Sequence, residues 1–338
     1  MNNKTPTSIL ITGGAGYIGS HTCRILSKKG LNLVVLDNLE YGHRDALEVS
    51  ENLHFYQGSV GNESLLKKIF INHKIEAVVH FAAYTYVGES VAQPEKYYEN
   101  NILQPMTLLR VMKSFGCVNI IFSSTCATYG NPHYLPLDEN HPQHPVSPYG
   151  KSKYFLEQII RDYSKAYGFR YVFLRYFNAS GAAMDGSIGE DHDPETHLIP
   201  LLLKTAKGES GPLKIFGNDY ETPDGTCLRD YIHVEDLAEA HFLALSYLQQ
   251  RKASNAFNLG TGKGYSVMEV IHEVENVTNR KVPFEIVPRR EGDATSLVAQ
   301  ASLAKSQLGW EAKHKSLYSI VESAWKWENG PSNGKYNN

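Results

Sequence analysis

The stretch near the N-terminus limits the possible fold most, because a strand, a glycine-rich turn and a helix follow one another without a gap. Residues 8–12 form a short, mostly β-branched run, and a helical pattern covers residues 20–29. Between them lies the spacing G-x-x-G-x-x-G, at Gly13, Gly16 and Gly19. Glycines in such a turn let the backbone approach a pyrophosphate, whose charge is held by the free N–H groups of the helix N-terminus. The spacing differs from G-x-G-x-x-G and lacks the Gly-Lys-Ser/Thr of a P-loop, so it argues against a nucleoside triphosphatase.

Five further apolar runs, separated by helical patterns, follow this first strand. They are residues 31–36, 53–56, 77–83, 119–125 and 170–178, and the clearest helices cover residues 64–71 and 95–113. Strands that are apolar on both faces and alternate with helices indicate a parallel sheet covered on both sides. The sequence therefore predicts an α/β fold with a doubly wound parallel sheet of the Rossmann type. Ligands of such sheets bind at the carboxyl ends of the strands.

An acidic residue follows the second strand. Asp37, with Asn38 beside it, stands about 20 residues beyond the glycines, where a carboxylate accepts hydrogen bonds from an adenosine ribose and repels a 2′-phosphate. In isolation, an aspartate after a strand is more often a turn residue. After a glycine turn, we interpret Asp37 as a ribose ligand, which favours NAD over NADP.

The chain length of 338 residues predicts two domains with a cleft between them. We expect an NAD-binding Rossmann domain over residues 1–178, to which segments at about 232–260 return. Within that return, residues 232–234 and 257–259 are expected as strands of the main sheet. Residues 179–231 and 261–338 are expected to form a smaller α/β domain that binds the substrate.

Charge and composition exclude several classes of partner. The net charge is −3, and no cluster of lysine and arginine exceeds two residues, so we expect no nucleic-acid or anionic-membrane partner. The first six residues lack an apolar signal core and no run is long enough to span a bilayer, which predicts a cytoplasmic protein. The four cysteines show no C-x-x-C spacing and the fourteen histidines no H-E-x-x-H, so we expect reduced thiols and no metal site.

The segment Ser147-Pro148-Tyr149-Gly150-Lys151-Ser152-Lys153 places a phenol and an ammonium on one helical face, because Tyr149 and Lys153 are four residues apart. Pro148 suits a first helical turn. To act as a general base near neutrality, a tyrosine with a pKa of about 10 needs a drop of about 3 units, or ~4 kcal/mol. An adjacent lysine and a cationic nicotinamide ring can supply it. Alone, such a pair is more often a core tyrosine and a solvated lysine; the glycine turn and the strand end at Thr125 favour catalysis.

Together these features resemble the extended short-chain dehydrogenase/reductase family, and within it the UDP-hexose 4-epimerases, over residues 8–327. Seven blocks match in order. They are TGGAGYIGSH (12–21), VGES (87–90), SPYGKSK (147–153), LRYFN (174–178), FGNDY (216–220), RDYIHV (229–234) and PRREGD (288–293).

The resemblance implies NAD as the cofactor and epimerisation of UDP-glucose and UDP-galactose through a 4-keto intermediate. Tyr149 would take the proton of the sugar 4′-hydroxyl while hydride passes from C4′ to NAD. Lys153 would lower the pKa of Tyr149 and hold the nicotinamide ribose, and Thr125 would hydrogen-bond the reacting oxygen. The implied cofactor contacts are Gly13, Gly16, Tyr17, Ile18, Gly19, Asp37, Asn38, Ser59, Val60, Phe81, Ala82, Ala83, Asn100, Tyr149, Lys153 and Tyr176.

The resemblance also implies a nucleotide-sugar site. Phe216 would hold uracil, Arg229 and Arg290 would pair with the diphosphate through their bidentate forks, and Asp293 would contact the uridine ribose. The implied substrate contacts are Thr125, Tyr149, Asn178, His197, Leu198, Lys214, Phe216, Arg229, Tyr231, Arg290, Asp293 and Leu297. Leu297 stands where epimerases restricted to glucose and galactose carry tyrosine, which implies room for N-acetylated sugars. A homodimer through helices 95–113 and 149–167 is implied as well.

Three positions depart from the pattern of many relatives. Ser59 replaces an aspartate that binds adenine, Thr85 replaces a cofactor-contacting lysine, and His197 replaces an asparagine of the substrate loop. The first two substitutions predict looser binding of NAD. A hydrogen bond from His197 would preserve the third role.

Three other functions fit parts of the sequence. A nucleotide-sugar 4,6-dehydratase needs an Asp-Glu pair after the hydroxyl residue, where this chain has Cys126 and Ala127. A UDP-xylose/UDP-arabinose 4-epimerase stays open, because residues 123–130 also resemble pentose epimerases. An NAD-sensing regulatory protein would keep the glycine turn, but it has no reason to keep Tyr149, Lys153 and Thr125 together.

Overall fold

The computed structural model describes residues 7–251, 253–290 and 293–336. The first six residues, on which the expectation of no signal sequence rests, lie outside these ranges, as do Glu291 and Gly292 of the last matched block. Every helix within the ranges is too short or too polar to cross a bilayer.

The main sheet, within the described ranges, has seven parallel strands. Their bounds are β1 (Thr7–Thr12), β2 (Asn32–Asp37), β3 (Leu53–Gln57), β4 (Lys74–His80), β5 (Asn119–Thr125), β6 (Arg170–Tyr176) and β10 (Asn255–Leu259). Their order across the sheet is β10-β6-β5-β4-β1-β2-β3. The chain starts in the middle and winds outward in both directions, so the expectation of a doubly wound α/β fold is confirmed.

Helices cover both faces of this sheet. On one face lie α1 (Tyr17–Lys28) and α8 (Val234–Arg251), and on the other lie α2 (Glu63–Asn72), α5 (Gln104–Ser114) and α6 (Pro148–Tyr167). Successive strand residues point to opposite faces, so Ile9 and Ile11 join the first core while Leu10 joins the second. Both faces of each strand are therefore buried, which explains the continuous apolar runs in the sequence.

A second layer covers the carboxyl edge of the main sheet. Its bounds are β7 (Asn178–Ser180), β9 (Leu228–His233), β11 (Gly264–Ser266) and β13 (Ser296–Leu297) in one sheet, β8 (Leu213–Phe216) and β12 (Phe284–Val287) in another, and α7 (Leu198–Lys207), α9 (Val267–Thr278) and α10 (Leu317–Glu328). These three helices pack around β8 and β9 in a third apolar core.

Three sequence-based expectations about elements need correction. Residues 232–234 do not return to the main sheet: β9 ends at His233 and pairs with β7, β11 and β13. The strand expected over residues 77–83 is β4, which ends at His80. The helix expected over residues 95–113 is broken into α4 (Pro94–Tyr98), a π-helical turn at Glu99–Leu103, and α5. The short helix α3 (Val87–Ala92) precedes them.

The start of α6 follows from its first residues. Ser147 caps the helix, because its Oγ accepts the N–H of Gly150 at 3.1 Å, and Pro148 occupies the first turn, where no N–H is needed. Gly168 ends the helix in a left-handed conformation. The expected helix start at Ser147 or Pro148 is confirmed, and Tyr149 and Lys153 lie one helical turn apart.

A buried ion pair fastens α6 to the sheet. Arg175 on β6 donates from Nε to Glu157 Oε1 at 2.9 Å and from Nη2 to Oε2 at 2.6 Å. The two side chains are 2% and 0% exposed. Ser124 on β5 donates to the same carboxylate at 2.6 Å, and Tyr129 accepts from Arg175 Nη1 at 3.1 Å. This network holds α6, the helix that carries Tyr149 and Lys153, against β5 and β6.

We predict that Glu157→Ala destabilises the protein by about 3–5 kcal/mol, because it leaves the Arg175 guanidinium buried without its counter-charge. The matched control is Glu322→Ala on α10, whose pair with Lys326 is at 3.6 Å with both side chains partly exposed. The control should cost no more than about 1 kcal/mol. Urea unfolding of both variants measures the difference, and equal losses would contradict the assigned role of the pair.

Candidate active site

The glycine turn lies where β1 ends and α1 begins, at the carboxyl edge of the main sheet. Gly13 has φ of +72°, and a Cβ there would lie 2.5 Å from the backbone nitrogen of Ala82. A Cβ on Gly19 would lie 2.1 Å from the carbonyl oxygen of Gly13. Gly16 is the N-cap of α1, and no side chain caps its first turn, which holds Tyr17 and Ile18. The backbone is thus open to an anionic group at the helix N-terminus.

Asp37 ends β2 beside this turn. Its Oδ2 accepts the N–H of Ala15 and its Oδ1 the N–H of Leu39, both at 2.9 Å. Burial raises the pKa of Asp37, and these two N–H donors oppose that shift. Each carboxylate oxygen keeps a second lone pair, so the fixed group can still accept ribose hydroxyls. Asn38 is exposed and donates to Glu40 at 3.2 Å.

Ser59 follows β3, with the buried Val60 after it. Its hydroxyl donates to Gln104 Oε1 at 2.6 Å and accepts the N–H of Gly61 at 2.9 Å. Both partners are protein groups, and weaker binding of adenine through Ser59 stays a prediction.

The segment after β4 runs beside the glycine turn. The N–H groups of Phe81 and Ala82 donate to the carbonyl of Thr12 at 2.9 and 3.1 Å, and Ala83 follows. Asn100 lies on the π-helical turn at Glu99–Leu103 and donates to the neighbouring Asn101 at 3.0 Å. Such turns often occur at functional sites, because they redirect side chains within a helix.

Asn101 was missed by the sequence analysis. Its amide is buried; it accepts the N–H of Tyr84 at 2.9 Å and donates to the carbonyl of Tyr84 and to Ser152 Oγ, each at 3.0 Å. It therefore ties the segment after β4 to the catalytic helix. No sequence pattern distinguishes it from the adjacent Asn100.

Tyr149, Lys153 and Thr125 meet where β5 ends. Thr125 is buried and its Oγ1 accepts the N–H of Ala127 at 3.1 Å, while its side chain also interacts with the hydroxyl of Tyr149. Lys153 is 3% exposed, and its Nζ donates to the carbonyl of Ser123 at 3.0 Å. Ser123 also shares a short hydrogen bond with the hydroxyl of Tyr176 at the end of β6.

Ser123 is a second residue that the sequence analysis missed as a site residue. A signal was present, because residues 123 and 125 are two apart on one strand and point to the same face. The strand-end site therefore extends from Thr125 to Ser123, which lies two residues further along β5 toward the interior of the sheet.

Burial sets the protonation of this group. It raises the pKa of Tyr149 well above the usual range, with Tyr176 adding to the shift and Thr125 opposing it, and it raises that of Tyr176 to about 12. Burial lowers the pKa of Lys153 to about 7. The expectation that Lys153 lowers the pKa of Tyr149 does not hold in the protein alone, because the lysine turns to the Ser123 carbonyl and desolvation dominates. Further positive charge near Tyr149 is needed to favour its phenolate.

The second layer brings several predicted substrate residues together through strand pairing. Asn178 on β7 pairs with Tyr231 on β9, and Arg229 on β9 pairs with Leu297 on β13. Asn178 also donates to the carbonyl of Asp230 at 3.2 Å. Leu297 is partly buried against a cluster that includes Cys126, the neighbour of Thr125. It thus lies between the strand end with Thr125 and the strand that carries Arg229.

The arginines share one carboxylate. Arg290 donates to both oxygens of Asp293 at 3.1 and 3.0 Å, and Arg229 Nη2 lies 3.7 Å from the same group. Arg229 also donates to the carbonyl of Ala294 at 2.7 Å. The guanidinium of Arg290 lies over the ring of Phe216, 5.3 Å from its centroid. Two cations and an exposed aromatic ring therefore form one continuous surface.

The remaining predicted substrate residues lie on either side of this surface. Lys214 shares the outer face of β8 with Phe216 and lies 4.0 Å from Glu285. His197 precedes α7, and Leu198 is its first residue. Although burial lowers the pKa of His197, the Glu190 carboxylate, 2.5 Å from its Nδ1, raises the pKa to about 10.

The residues present fit NAD. The tight glycine backbone, the uncapped start of α1 and the fixed Asp37 suit a pyrophosphate and a ribose without a 2′-phosphate. Every predicted cofactor residue except Asn100 is in the glycine turn or the first turn of α1, at or within three residues of the end of β2, β3 or β4, or at the active-site ends of β6 and α6.

We predict that Gly19→Ala weakens NAD binding and lowers stability by about 1–3 kcal/mol or more, because the new methyl group meets backbone that cannot turn away. Gly211→Ala is the control, since nothing lies within 4 Å of its Cβ position. Calorimetric titration with NAD and thermal unfolding test both variants. If Gly19→Ala binds NAD as the control does, the close backbone approach is not required.

Comparison with known proteins agrees with this geometry. A family model described as the NAD dependent epimerase/dehydratase family matches residues 9–260. A UDP-glucose 4-epimerase of Halalkalibacterium halodurans is 51% identical over 320 residues, 95% of each chain.

Two solved structures are similar over nearly the whole chain. The UDP-glucose 4-epimerase of Brucella ovis in complex with NAD has a TM-score of 0.91 and 46% identity, covering 94% of this chain and 97% of its own. The UDP-glucose 4-epimerase of Bifidobacterium longum in complex with NAD⁺ and UDP has a TM-score of 0.93 and 40% identity, covering 97% and 100%. This chain therefore belongs to the NAD dependent epimerase/dehydratase family and, within it, to the UDP-glucose 4-epimerases.

Proposed function

We propose that this chain interconverts UDP-glucose and UDP-galactose, with Tyr149 as the group that takes up and returns the proton of the sugar 4′-hydroxyl. The observation that carries the assignment is the meeting of Tyr149, Lys153 and Thr125 at a strand end next to the glycine turn. A phenol, an ammonium and a hydroxyl in this arrangement can provide acid–base catalysis while an alcohol is oxidised and then reduced again at the same carbon.

Bound NAD supplies the hydride acceptor and, because its oxidised nicotinamide is cationic, positive charge beside Tyr149. Tyr149 takes the proton when that charge favours the phenolate. Lys153 holds the nicotinamide ribose and adds charge when protonated, which its pKa of about 7 permits near neutrality. Thr125 holds the reacting oxygen in line with Tyr149, and the protein keeps water away because all three groups are wholly or partly buried.

The nucleotide half of the substrate is assigned to the second layer. We assign the uracil to Phe216, the diphosphate to Arg229 and Arg290, and the uridine ribose to Asp293. Asn178 and His197 would each donate one hydrogen bond, and Tyr231, Leu198 and Lys214 would line the site. The UDP bound to the similar Bifidobacterium longum enzyme supports this class of ligand.

The alternatives differ at identifiable positions. A 4,6-dehydratase needs an acid and a base directly after Thr125. Here Cys126 is buried, and burial raises the pKa of its thiol to about 12. Ala127 has no side chain that can donate or accept a proton. Burial likewise removes Cys126 as a nucleophile. A pentose 4-epimerase would use the same residues, so only the sugar separates it. An NAD-sensing protein would not require the buried catalytic group.

We propose a cytoplasmic homodimer. The four cysteines are free and buried, which suits a reducing compartment. The exposed apolar side chains of Val91, Leu103 and Phe155 lie on neighbouring helical segments, α3, the π-helical turn and α6. Two such surfaces from two chains would form a bundle that buries them.

The first test is the reaction itself. With UDP-glucose and the purified protein, and no added NAD, NMR should detect UDP-galactose while absorbance at the NADH wavelength stays far below the amount of product. Tyr149→Phe should lower kcat by about 10²–10⁴-fold or more, with substrate binding within a few-fold, because only the proton acceptor is removed. Near-normal turnover in this variant would refute the assignment.

Tyr163→Phe is the matched control, because it lies on the same helix and far along it from the strand end. It should leave kcat unchanged. UDP-xylose as substrate separates the pentose alternative, and NADH formed in proportion to product would indicate a simple dehydrogenase instead.

We further propose that the enzyme also accepts UDP-N-acetylglucosamine and UDP-N-acetylgalactosamine, because Leu297 leaves the space that a tyrosine ring would fill. The side chain is only partly buried and reaches the cluster beside Thr125. A clash in a packed site costs about 1–3 kcal/mol, or roughly 10- to 200-fold in specificity.

Leu297→Tyr should therefore lower kcat/KM for the N-acetylated pair by about 10- to 200-fold relative to the glucose pair. Leu297→Met is the control, because it conserves volume and should leave the ratio unchanged. Steady-state kinetics with both substrate pairs measures the ratio. If the parent enzyme ignores the N-acetyl sugars, or if tyrosine leaves its preference unchanged, Leu297 is not the gate.

A further inference from the structure

Four side chains with metal-binding atoms converge in the loop before α7. They are Glu190, His192, Glu195 and His197, and the ligand atoms they offer all lie within 4.8 Å of one another. The spacing E-x-H-x-x-E-x-H has no helical or strand period, so the sequence analysis predicted no metal site. The convergence depends on the path of the loop.

The distances suit a tetrahedron. Glu190 Oε1 lies 3.1 Å from His192 Nδ1 and 2.5 Å from His197 Nδ1. Glu195 Oε2 lies 3.8 Å from His192 Nδ1, and Glu195 Oε1 lies 3.5 Å from His197 Nδ1. With ligands at about 2.0–2.2 Å from a zinc ion, the edges of a tetrahedron are about 3.3–3.6 Å. The contacts of 3.1, 3.5 and 3.8 Å are close to that length, whereas the contact of 2.5 Å between Glu190 and His197 is a hydrogen bond that would have to open for the ion.

Hydrogen bonding alone leaves part of this cluster unexplained. His192 Nδ1 is buried and makes no hydrogen bond among the described residues, although Glu190 Oε1 is only 3.1 Å away. The hydroxyl of Tyr86 is also buried without a hydrogen-bond partner in the described structure. The ring of Tyr86 packs edge-on against that of His192, with 6.3 Å between the ring centroids.

The charges favour a cation. The carboxylates of Glu190 and Glu195 have side chains only 5% and 4% exposed. Two buried carboxylates match one divalent ion with two neutral imidazoles, so metal binding would release the proton that His197 holds beside Glu190.

The geometry points to a binding site for a divalent zinc-like cation, formed by Glu190, His192, Glu195 and His197. Imidazole nitrogens and carboxylates in a four-coordinate set suit Zn²⁺, whereas Mg²⁺ prefers six oxygen ligands. The ring of His192 packs edge-on against that of Tyr17 of α1, with 6.3 Å between the ring centroids. An ion bound to His192 therefore fixes the loop between the second layer and α1. With Nδ1 of His197 on the metal, its Nε2 carries the proton and faces outward as a hydrogen-bond donor.

A second cluster, His233, Glu235 and His314, lacks these properties. His233 uses both ring nitrogens, because Nε2 contacts Ser323 Oγ at 3.0 Å and Nδ1 accepts the N–H of Glu235 at 3.1 Å. It serves as the internal control.

The test is calorimetric titration of the chelator-treated, full-length protein with ZnCl₂ and, separately, MgCl₂. The parent should bind one equivalent of Zn²⁺ and no Mg²⁺. Glu195→Gln and His192→Asn should each lose at least about tenfold in affinity, since even outer-shell changes cost that much. Glu235→Gln, the same substitution in the second cluster, should bind as the parent does.

Thermal unfolding with and without Zn²⁺ provides a second readout that does not depend on the reaction. The midpoint should rise with Zn²⁺ in the parent and in Glu235→Gln but not in the two loop variants. Any of three results would overturn the site: the parent does not bind Zn²⁺, both loop variants bind it as the parent does, or Glu235→Gln loses binding. If Glu195→Gln fails to fold, His192→Asn decides. None of these results bears on whether the protein epimerises UDP-glucose.

Discussion

The buried pair of Arg175 and Glu157 is the interaction on which the active site depends. Taking two charges out of water is costly, and the pair is tolerated because every oxygen and most donors find partners on β5, β6 and the segment after β5. Its effect is positional. Tyr149 and Lys153 are carried by α6, Thr125 by β5 and Tyr176 by β6, and one network joins all three elements. A shift of the helix along the sheet would break it.

Burial gives the site its electrostatic character. It disfavours charge on Tyr149, Tyr176 and Lys153 alike, so the protein alone holds the tyrosine protonated and the lysine close to half-charged near neutrality. A proton-accepting tyrosine then requires a cation in the same dry space. In the proposed mechanism, the oxidised nicotinamide of bound NAD would supply that cation. At the proposed nucleotide end, the exposed Arg290 and the partly buried Arg229 already share Asp293, and each could exchange this carboxylate for another anion.

A feature of the fold or of the site could be predicted from the sequence only where neighbouring residues encode it. The glycine turn, the strands and the start of α6 are encoded by neighbouring residues, and each was predicted within a few positions. Residues 232–234 were assigned to the wrong sheet, because an apolar run predicts that a strand forms but does not indicate which strand it pairs with. The π-helical turn has no compositional marker, and Asn101 differs from Asn100 only in what it contacts. The Glu190–His197 cluster follows from a loop path that no periodicity describes. Substrate residues came from the family resemblance, and the structure adds the pairing of Asn178 with Tyr231 and of Arg229 with Leu297.

The two layers are joined unusually tightly. A single residue, the buried Phe177, separates the end of β6 from the start of β7, and α8 begins directly after β9 ends. Neither connection has a linker that could absorb a large rotation, so these two crossings do not act as flexible hinges between the layers. The loop between β7 and α7 then becomes the segment whose conformation governs access to the strand end at Thr125.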